Sequence, residues 1–497
     1  MSTPRLAIAA GNYLGTEAAV RVASEGGNAV DACLASAIMA WVAEPTFASV
    51  GGAGFVMVRT PDGSIEAIDG NNAMPLAAPT EPGRGVRRVH LDYSDGMETG
   101  MGAGSIAVPG MLKATHLAWE RHGRIEWPAL LRPAIEASRA GIDMPLTSAY
   151  YLSVTWENLW SAFPESRAVF APRGALLREG DRFAQPELAD VLELIADDGP
   201  DVFYSGELAA EMVDRIQALG GLMSAHDLKG YQAIVRRPLE TDAFGWRVFT
   251  NPPPAVGGVV LAHMLALIAG ADLSTPVARL KAVIEAQHAA GTLRREQYLD
   301  PGNIAAAYAE AHGKGTSGSG PASTTHSSAA DADGWACSVT ESAGYGSGLL
   351  IHGVVMNNTL GEEELNPLGV HALPPGSRCH SNMAPTIAEG PGVTVAIGSP
   401  GADRIVTAVT QALLRLAIDG EGLAEAIAAP RAHLEARPQG LTLCYEPGLP
   451  AEELGYIPRP YRELHMYFGA VQAASVTAAG EVDAAHDPRR SGGSALI

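Results

Sequence analysis

The most constraining feature of the sequence is an Ala-rich stretch, residues 17–43, which predicts two helices separated by Gly26-Gly27. The second helix is apolar on nearly all of its faces, so we expect it to be a buried central helix. Apolar runs at 55–58 and 64–68 flank a turn sequence at 61–63, which is a β-hairpin pattern. A fully buried helix close to paired strands favours a layered arrangement of helices and sheets.

The middle of the chain predicts mainly helices, followed by a linker and a second pair of strands. Residues 105–240 predict mainly helices, and residues 313–323 are a Gly- and Ser-rich segment with the composition of a flexible linker. Two strand-like runs, 325–330 and 335–340, follow this linker at once and predict a second hairpin.

Further elements follow the second hairpin. Residues 349–356 are a strand candidate, 393–397 predict a short strand, and 405–418 predict a strongly apolar helix. Strands flanked by buried helices are typical of an α/β protein with helices on the faces of its sheets.

The net charge excludes several classes of partner. The 34 Lys and Arg residues against 55 Asp and Glu give −21 at pH 7, and no basic cluster is present, so we expect no nucleic acid and no anionic membrane as partners. The four cysteines lie far apart, without a CxxC pair, which argues against a zinc ribbon or a disulfide framework. Cys337 lies on a predicted strand and is expected to be a buried apolar residue.

The N-terminal sequence predicts no secretory signal, because its apolar run covers only residues 6–10. The longest apolar stretch, 32–43, is also too short for a membrane span. We therefore expect a soluble, cytoplasmic protein. Sequence signatures for zinc hydrolases and P-loop enzymes are missing, and we expect neither a metal nor a cofactor.

A Gly-containing turn, Gly398-Ser399-Pro400-Gly401-Ala402, joins a predicted strand to a predicted helix. Backbone N–H groups at such a junction have no intrahelical partner and can stabilise an anion or an oxyanion. The spacing of the turn alone favours an ordinary tight loop, because short Gly motifs are weak signals.

The junction between Ser323 and Thr324 is the second candidate. If the chain were cut there, Thr324 would carry a hydroxyl nucleophile and an α-amine with a pKa of about 7.7 to 8.0, which could act as its general base. Local composition alone favours a Ser/Thr-rich loop without a function at this junction.

A series of ordered motifs resembles the γ-glutamyltransferases, also called glutathione hydrolases, over nearly the whole chain. The matching segments include residues 26–32, 51–55, 108–110, 203–207, 324–327, 346–348, 382–387, 398–401, 429–431 and 487–489. This resemblance implies a four-layer αββα sandwich of the N-terminal-nucleophile hydrolases. It also implies a zymogen that cuts itself into two interlocked subunits, residues 1–323 and 324–497.

The same resemblance assigns roles to residues of a catalytic site. It implies that Thr324 is the nucleophile of an acyl-enzyme, that Ser342 is a hydroxyl residue supporting it, and that the amides of Gly401 and Ala402 form the oxyanion hole. His326 is expected to position the strand start rather than act as a second base.

The substrate-binding positions depart from the family pattern. Asn71 stands where an arginine grips the glutamyl α-carboxylate, and a neutral amide cannot replace a charged fork without loss of carboxylate affinity. The other positions expected to bind substrate are Gly344 for Asn, Thr359 for Gln or Glu, Glu362 for Asp, and Asn382 for Ser, next to the retained Ser381. Arg404, at a helix start, could assist an anionic substrate, although a surface ion pair is the better expectation.

The sequence therefore predicts an autoprocessed amidohydrolase or acyltransferase that acts on a small amide or acyl compound other than glutathione. Its partner is its own second subunit, as a heterodimer or a dimer of heterodimers. Three alternatives stay open: a carbon–carbon bond-cleaving member of a secondary-metabolite pathway, a true glutathione hydrolase, and an unprocessed binding protein that keeps only the fold.

Overall fold

The computed structural model describes residues 3–77, 79, 81–92, 96–293 and 324–497. Within them, two antiparallel sheets pack face to face, and helices cover the outer face of each sheet. This order of layers confirms the predicted four-layer αββα sandwich. The Gly- and Ser-rich segment 313–323 and the Ser323 side of the predicted cleavage site lie outside the described residues.

The first sheet has seven strands. In spatial order they are β22 (Gly493–Leu496), β1 (Leu6–Ala10), β11 (Thr325–Asp331), β12 (Ala336–Ser342), β2 (Ala53–Arg59), β3 (Ile65–Gly70) and β8 (Ile234–Arg236). Strands β2 and β3 form the first predicted hairpin, and β11 and β12 form the second. Both hairpin predictions are confirmed.

The second sheet has six strands. In spatial order they are β21 (Val482–Ala485), β20 (Gln472–Thr477), β16 (Val393–Gly398), β15 (Thr386–Gly390), β10 (Trp246–Thr250) and β9 (Leu239–Ala243). Each of the two sheets therefore combines strands from both sides of the junction between Ser323 and Thr324. Small apolar residues such as Ala330, Ala396 and Ala474 lie in the core between the sheets, which lets their backbones approach closely.

Two central helices illustrate how the sequence specifies the outer layers. Helices α1 (Tyr13–Ser24) and α2 (Ala29–Ala43) cover the first sheet, and α2 begins with a capping box in which Asn28 and Asp31 bond each other's backbone. All 15 residues of α2 are buried, which confirms the predicted central helix. The same layer includes α3 (Met111–His122), α4 (Trp127–Ala140) and α7 (Pro186–Asp198).

The second sheet is covered by helices from both parts of the chain. They are α11 (Val256–Ala269), α12 (Pro276–Leu293), α13 (Arg404–Leu414) and α14 (Leu423–Ala428). The remaining helices are α5 (Leu146–Thr155), α6 (Pro164–Phe170), α8 (Asp201–Tyr204), α9 (Glu207–Ala218) and α10 (Ala225–Gly230). Helices α3 to α10 together confirm that residues 105–240 are mainly helical.

Short strands form small sheets outside the sandwich. They are β4 (Arg87–Leu91) with β5 (Met97–Met101), β6 (Ile142–Asp143) with β7 (Arg182–Phe183), β13 (Leu350–Ile351) with β14 (Val354–Val355), and β17 (Ala432–Arg437), β18 (Gly440–Tyr445) and β19 (Ile457–Pro460). The single strand predicted over 349–356 is wrong, because His352 and Gly353 have φ angles of 49° and 75° and turn the chain back on itself.

Two further sequence predictions concern the apolar segments and the cysteines. In the part of the chain that the structure describes, no helix is long and apolar enough to cross a membrane. Cys337 is buried, as expected, and all four cysteines are unbridged.

Candidate active site

A cavity opens where the β11–β12 hairpin meets the segments that follow β14 and precede β15. It holds about 380 Å³ of empty space, part of it open to solvent. Its lining residues are Ala53, Asn71, Thr324, Ser342, Gly344, Thr359, Glu362, Leu365, His380, Ser381, Asn382, Met383, Ala402 and Ile405. Every described residue that the sequence analysis considered for catalysis or substrate binding, except Gly401, Arg404 and His326, lines this one cavity.

Thr324 directly precedes β11 and is buried at the cavity wall. Its hydroxyl donates to Ser342 Oγ across 3.4 Å, and Ser342 is the last residue of the neighbouring strand β12. Ser342 Oγ also accepts a hydrogen bond from the backbone N–H of Gly344 at 3.0 Å. The hairpin register therefore sets the distance between the two hydroxyl groups.

The turn before α13 presents backbone N–H groups near Thr324. Gly401 and Ala402 have φ angles of 128° and 53°, and Ala402 lines the cavity. Among the described residues neither N–H group has a hydrogen-bond acceptor, while the carbonyl of Gly401 accepts from the N–H of Arg404 at 2.9 Å. A left-handed conformation is uncommon for alanine, and two successive N–H groups without partners form a concavity suited to an anion.

Asn71 and Thr359, both in the cavity lining, are already hydrogen-bonded to protein groups. The Asn71 side chain donates to the carbonyl of Cys379 at 2.5 Å, and its own backbone carbonyl accepts from Tyr231 Oη at 2.6 Å. Asn72 donates to Thr359 Oγ1 at 2.7 Å. These bonds hold Asn71 and Thr359 as neutral groups in fixed orientations.

Ser381 and Asn382 reach the cavity from the segment before β15. The carbonyl of Ser381 accepts from the N–H groups of Val256 and Gly257, both at 2.9 Å, and so caps the N-terminus of α11. The Ser381 hydroxyl accepts from the N–H of Met383 at 3.2 Å. Ser381 is therefore fixed to the second sheet's helical layer.

Glu362 is the buried carboxyl group of the cavity. Its carboxylate makes no hydrogen bond or ion pair with any residue that the structure describes. Burial, and secondarily the charge of Glu364, raises the pKa of Glu362 well above its ordinary value. Burial therefore disfavours the charged form of this carboxyl group.

His380 also lines the cavity, and sequence reasoning missed it. Its Nδ1 donates to the carbonyl of Leu365 at 3.0 Å, which fixes the ring beside Ser381. Its place directly before Ser381 in the sequence is the one signal that could have drawn attention to it.

Two arginines near the cavity are bound to other groups. Arg404 is only 3% exposed, pairs with Asp403 at 2.6 Å and lies over the ring of Tyr467, so the expected surface ion pair is wrong. Arg378 stacks on Tyr231 and donates to the carbonyl of Asn71 at 3.0 Å. Within the described residues, the cavity lining therefore contains no arginine and no lysine.

His326 packs between the two sheets rather than in the cavity. Its ring nitrogens lie 2.8 Å from Thr340 Oγ1 and from Ser328 Oγ. Burial lowers the pKa of His326 to about 3, so the ring is neutral at physiological pH. Gly398 leaves room for it, because a Cβ at that position would overlap the ring. These contacts favour the predicted positioning role over a second base.

The fold and the cavity can be compared with known proteins. Cephalosporin acylase from Bacillus halodurans superposes over 100% of this chain and 96% of its own, with a TM-score of 0.80 and 22% sequence identity. A gamma-glutamyltranspeptidase from Helicobacter pylori covers 60% of this chain and 89% of its own, with a TM-score of 0.51 and 24% identity. Two facing sheets between helices thus define an N-terminal-nucleophile hydrolase fold.

The chain belongs to the gamma-glutamyltranspeptidase family, whose sequence model matches residues 15–497. The glutathione hydrolase proenzyme of Escherichia coli K12 is 29% identical over 95% of this chain and 88% of its own length. The acylase ACY 1 proenzyme of Pseudomonas sp. strain V22 is 30% identical over 85% and 81% of the two chains. The protein is therefore a gamma-glutamyltranspeptidase-like enzyme of the N-terminal-nucleophile hydrolase class.

Proposed function

We propose that the chain is a precursor that cuts itself between Ser323 and Thr324, and that the mature enzyme hydrolyses an amide through an ester on Thr324. The observation that carries this proposal is the position of the Thr324 hydroxyl, buried at the cavity wall and 3.4 Å from Ser342 Oγ. The related hydrolase and acylase are both named proenzymes, which supports maturation by cleavage.

In the proposed reaction, the freed α-amine of Thr324 takes the proton of the hydroxyl as Oγ1 attacks the substrate carbonyl. The N–H groups of Gly401 and Ala402 stabilise the oxyanion of the tetrahedral intermediate. The amide C–N bond then breaks, the leaving amine takes the proton, and the acyl group stays on Thr324 as an ester. Water attacks this ester, returns the Thr324 hydroxyl and releases the carboxylic acid.

The cavity lining supports a particular class of acyl group. A glutamyl α-carboxylate needs a cation to bind it. Asn71 offers only a neutral amide, whose N–H already donates to the carbonyl of Cys379. Glu362 is a carboxyl group without a partner in the described structure, and an ammonium group would supply one. We therefore propose an acyl group that carries an amine, or no charge, rather than a carboxylate.

A denaturing gel of the purified protein tests the first part of the proposal. We expect two fragments of 323 and 174 residues from the wild type and one full-length band from Thr324→Ala. Thr324→Ser is the matched control, because it keeps a hydroxyl at the same position and should still be cleaved. A wild-type protein that stays in one piece would instead support a binding protein with the same fold.

A panel of four anilides tests the substrate class. The 4-aminobutanoyl, butyryl, glutaryl and γ-glutamyl anilides differ only in the presence of an amine and a carboxylate. We expect the 4-aminobutanoyl compound to have the highest kcat/KM, by about ten- to a hundredfold over the glutaryl compound, since a charge-assisted hydrogen bond contributes about 1.5–3 kcal/mol. Fastest turnover of the γ-glutamyl anilide would refute the argument from Asn71 and support a true glutathione hydrolase.

A further inference from the structure

Two charged side chains from distant parts of the sequence hold the residues at the start of β11. Arg490 Nη1 donates to the backbone carbonyl of Thr324 at 2.8 Å. Glu44, at the C-terminal end of α2, accepts a hydrogen bond from Thr325 Oγ1 at 2.7 Å. Both charged residues are buried, at 8% and 1% exposed, so these bonds form away from bulk water.

Arg490 is held firmly in this position. Its guanidinium lies 5.0 Å from the centre of the Phe47 ring, and its Nε is buried without a hydrogen-bond partner among the described residues. The preceding turn is anchored by Asp487, which accepts from the N–H groups of Val471 and Arg489 at 2.7 and 3.0 Å. The chain thus directs a buried cation at the backbone of Thr324.

The charges around Thr324 come from several elements. Burial raises the pKa of Glu44, while the positive charge of Arg490 and the bond from Thr325 act in the opposite direction. Burial, and secondarily the charge of Glu44, raises the pKa of Glu341, on β12, well above its ordinary value. Among the described residues, Arg490 and Glu44 bond Thr324 and Thr325, and Glu341 pairs with Thr325 across the hairpin. His326 lies two residues after Thr324, on β11, and Glu362 and His380 line the same cavity as Thr324.

We propose that Arg490 and Glu44 are positioning residues that hold the first two residues of the freed small subunit and bias the protonation of its α-amine in opposite directions. This inference rests on the proposed function, because the amine exists only after cleavage before Thr324. A chain terminus frays unless it is tied down, and here the two side chains bond its first and second residues.

The opposite effects follow from the signs of the charges. The α-amine acts as a base only when it is neutral. The cation of Arg490, bonded to the carbonyl of the same residue, disfavours a second positive charge on the amine, whereas the carboxylate of Glu44 favours it. Arg490 therefore increases the fraction of competent base at neutral pH, and Glu44 decreases it.

The test measures the amine directly and needs no substrate. Mature wild type and the variants Arg490→Gln, Arg490→Lys and Glu44→Gln are treated with isotope-labelled cyanate over a range of pH. Mass spectrometry of the peptide that begins at Thr324 then gives the labelling rate, which reports the neutral amine. An ordinary α-amine titrates at about 7.7 to 8.0.

We expect Arg490→Gln to raise the apparent pKa of the amine, and Glu44→Gln to lower it, each by roughly half a unit to one unit. Arg490→Lys, which keeps the charge, should stay near the wild type. The matched control is Arg139→Gln, at a surface arginine on α4 paired with Asp190 and Glu193, which should leave the amine unchanged.

The outcomes separate this inference from the proposed function. An uncleaved wild type has no Thr324 amine to label, and that result refutes the proposed function. If the wild type is cleaved, two results overturn the inference alone. In the first, the amine pKa is the same in Glu44→Gln and in either Arg490 variant that matures. In the second, the amine pKa shifts in the same direction in Glu44→Gln and in that Arg490 variant. If Arg490→Gln does not mature, a lowered pKa in Glu44→Gln together with a wild-type value in Arg490→Lys supports it.

Discussion

The carboxyl group of Glu362 occupies the space that a side chain at residue 344 would need. A Cβ on Gly344 would lie 2.8 Å from Glu362 Oε1 and would overlap Asn358 Oδ1. Asn358 cannot easily give way, because its side chain donates to Thr99 Oγ1 and to the carbonyl of Gly100. We therefore predict an exchange in which Gly344 and the longer acid Glu362 together replace the Asn and Asp that the family resemblance gives for these positions.

We predict that Gly344→Asn lowers kcat/KM by about tenfold or more, and that adding Glu362→Asp restores part of the loss, because residues in contact are typically coupled by about 0.5–3 kcal/mol. Asparagine tolerates the φ of 65° at this position, so the loss comes from the contacts with Asn358 and Glu362 rather than from backbone strain. Steady-state kinetics of both single variants and the double variant measure the coupling.

The matched control for this cycle is Gly420→Asn. Gly420 has a φ of 66°, and a Cβ added there would have no other atom within 4 Å, so its substitution should leave kcat/KM unchanged. Strictly additive effects of Gly344→Asn and Glu362→Asp would contradict the proposed exchange.

The pKa of Glu362 predicts how substrate binding depends on pH. Its pKa is raised by burial and by Glu364, so the carboxyl group is neutral below that raised pKa and becomes an anion as the pH rises through it. We expect KM for the 4-aminobutanoyl anilide to fall as the pH rises, and Glu362→Gln to remove this dependence. Glu363→Gln, at an exposed residue paired with Arg88, should behave like the wild type. A KM independent of pH in the wild type would show that Glu362 does not bind the amine.

Ser342 is predicted to act on turnover rather than on binding. Its hydroxyl accepts from Thr324 Oγ1 and from the N–H of Gly344, so Ser342→Ala leaves the nucleophile without this contact. We expect kcat to fall by about ten- to a hundredfold with little change in KM, a change of about 1.4–2.7 kcal/mol in the barrier. Ser342→Thr keeps a hydroxyl and should recover most of kcat. An unchanged kcat in Ser342→Ala would refute the supporting role.

His326 predicts a loss of stability in acid. Its pKa is lowered to about 3 in the folded protein, whereas an unfolded histidine titrates near 6.5, so protons bind preferentially to the unfolded chain below that pH. The contribution of His326 to the free energy of unfolding is therefore fully present above about pH 6.5 and is lost as the pH falls towards about 3. At pH 4 the loss is up to about 3 kcal/mol. Urea unfolding at pH 7 and pH 4 measures this difference, which should be smaller in His326→Gln. An equal acid loss in both proteins would mean that other groups cause it.

The sequence predicted those parts of the fold and site that depend on local patterns. The hairpin of β11 and β12 follows from two strand-like runs joined by an Asp- and Gly-containing turn, and α2 follows from its uniform apolarity. Thr324 and the turn at Gly401 could be found because each stands at a change of local pattern.

The groups that were missed depend on contacts across the chain. Arg490 contacts Thr324 across 166 positions, and Glu44 contacts Thr325 across 281, so no spacing in the sequence joins them. His380 reaches the cavity through a loop whose path is set by its bond to Leu365. Such contacts arise from tertiary packing, which the periodicity of single segments does not report.

Because strands from both parts of the chain alternate in one sheet, the two parts are expected to depend on each other for folding. Strands β11 and β12 lie between β1 and β2, so the C-terminal part of the chain fills the middle of a sheet whose neighbours come from the N-terminal part. Two polypeptides made from separate genes would each expose unpaired strand edges before they met. We therefore expect that separately expressed halves assemble poorly, and that continuous translation of one chain is needed before any cut is made.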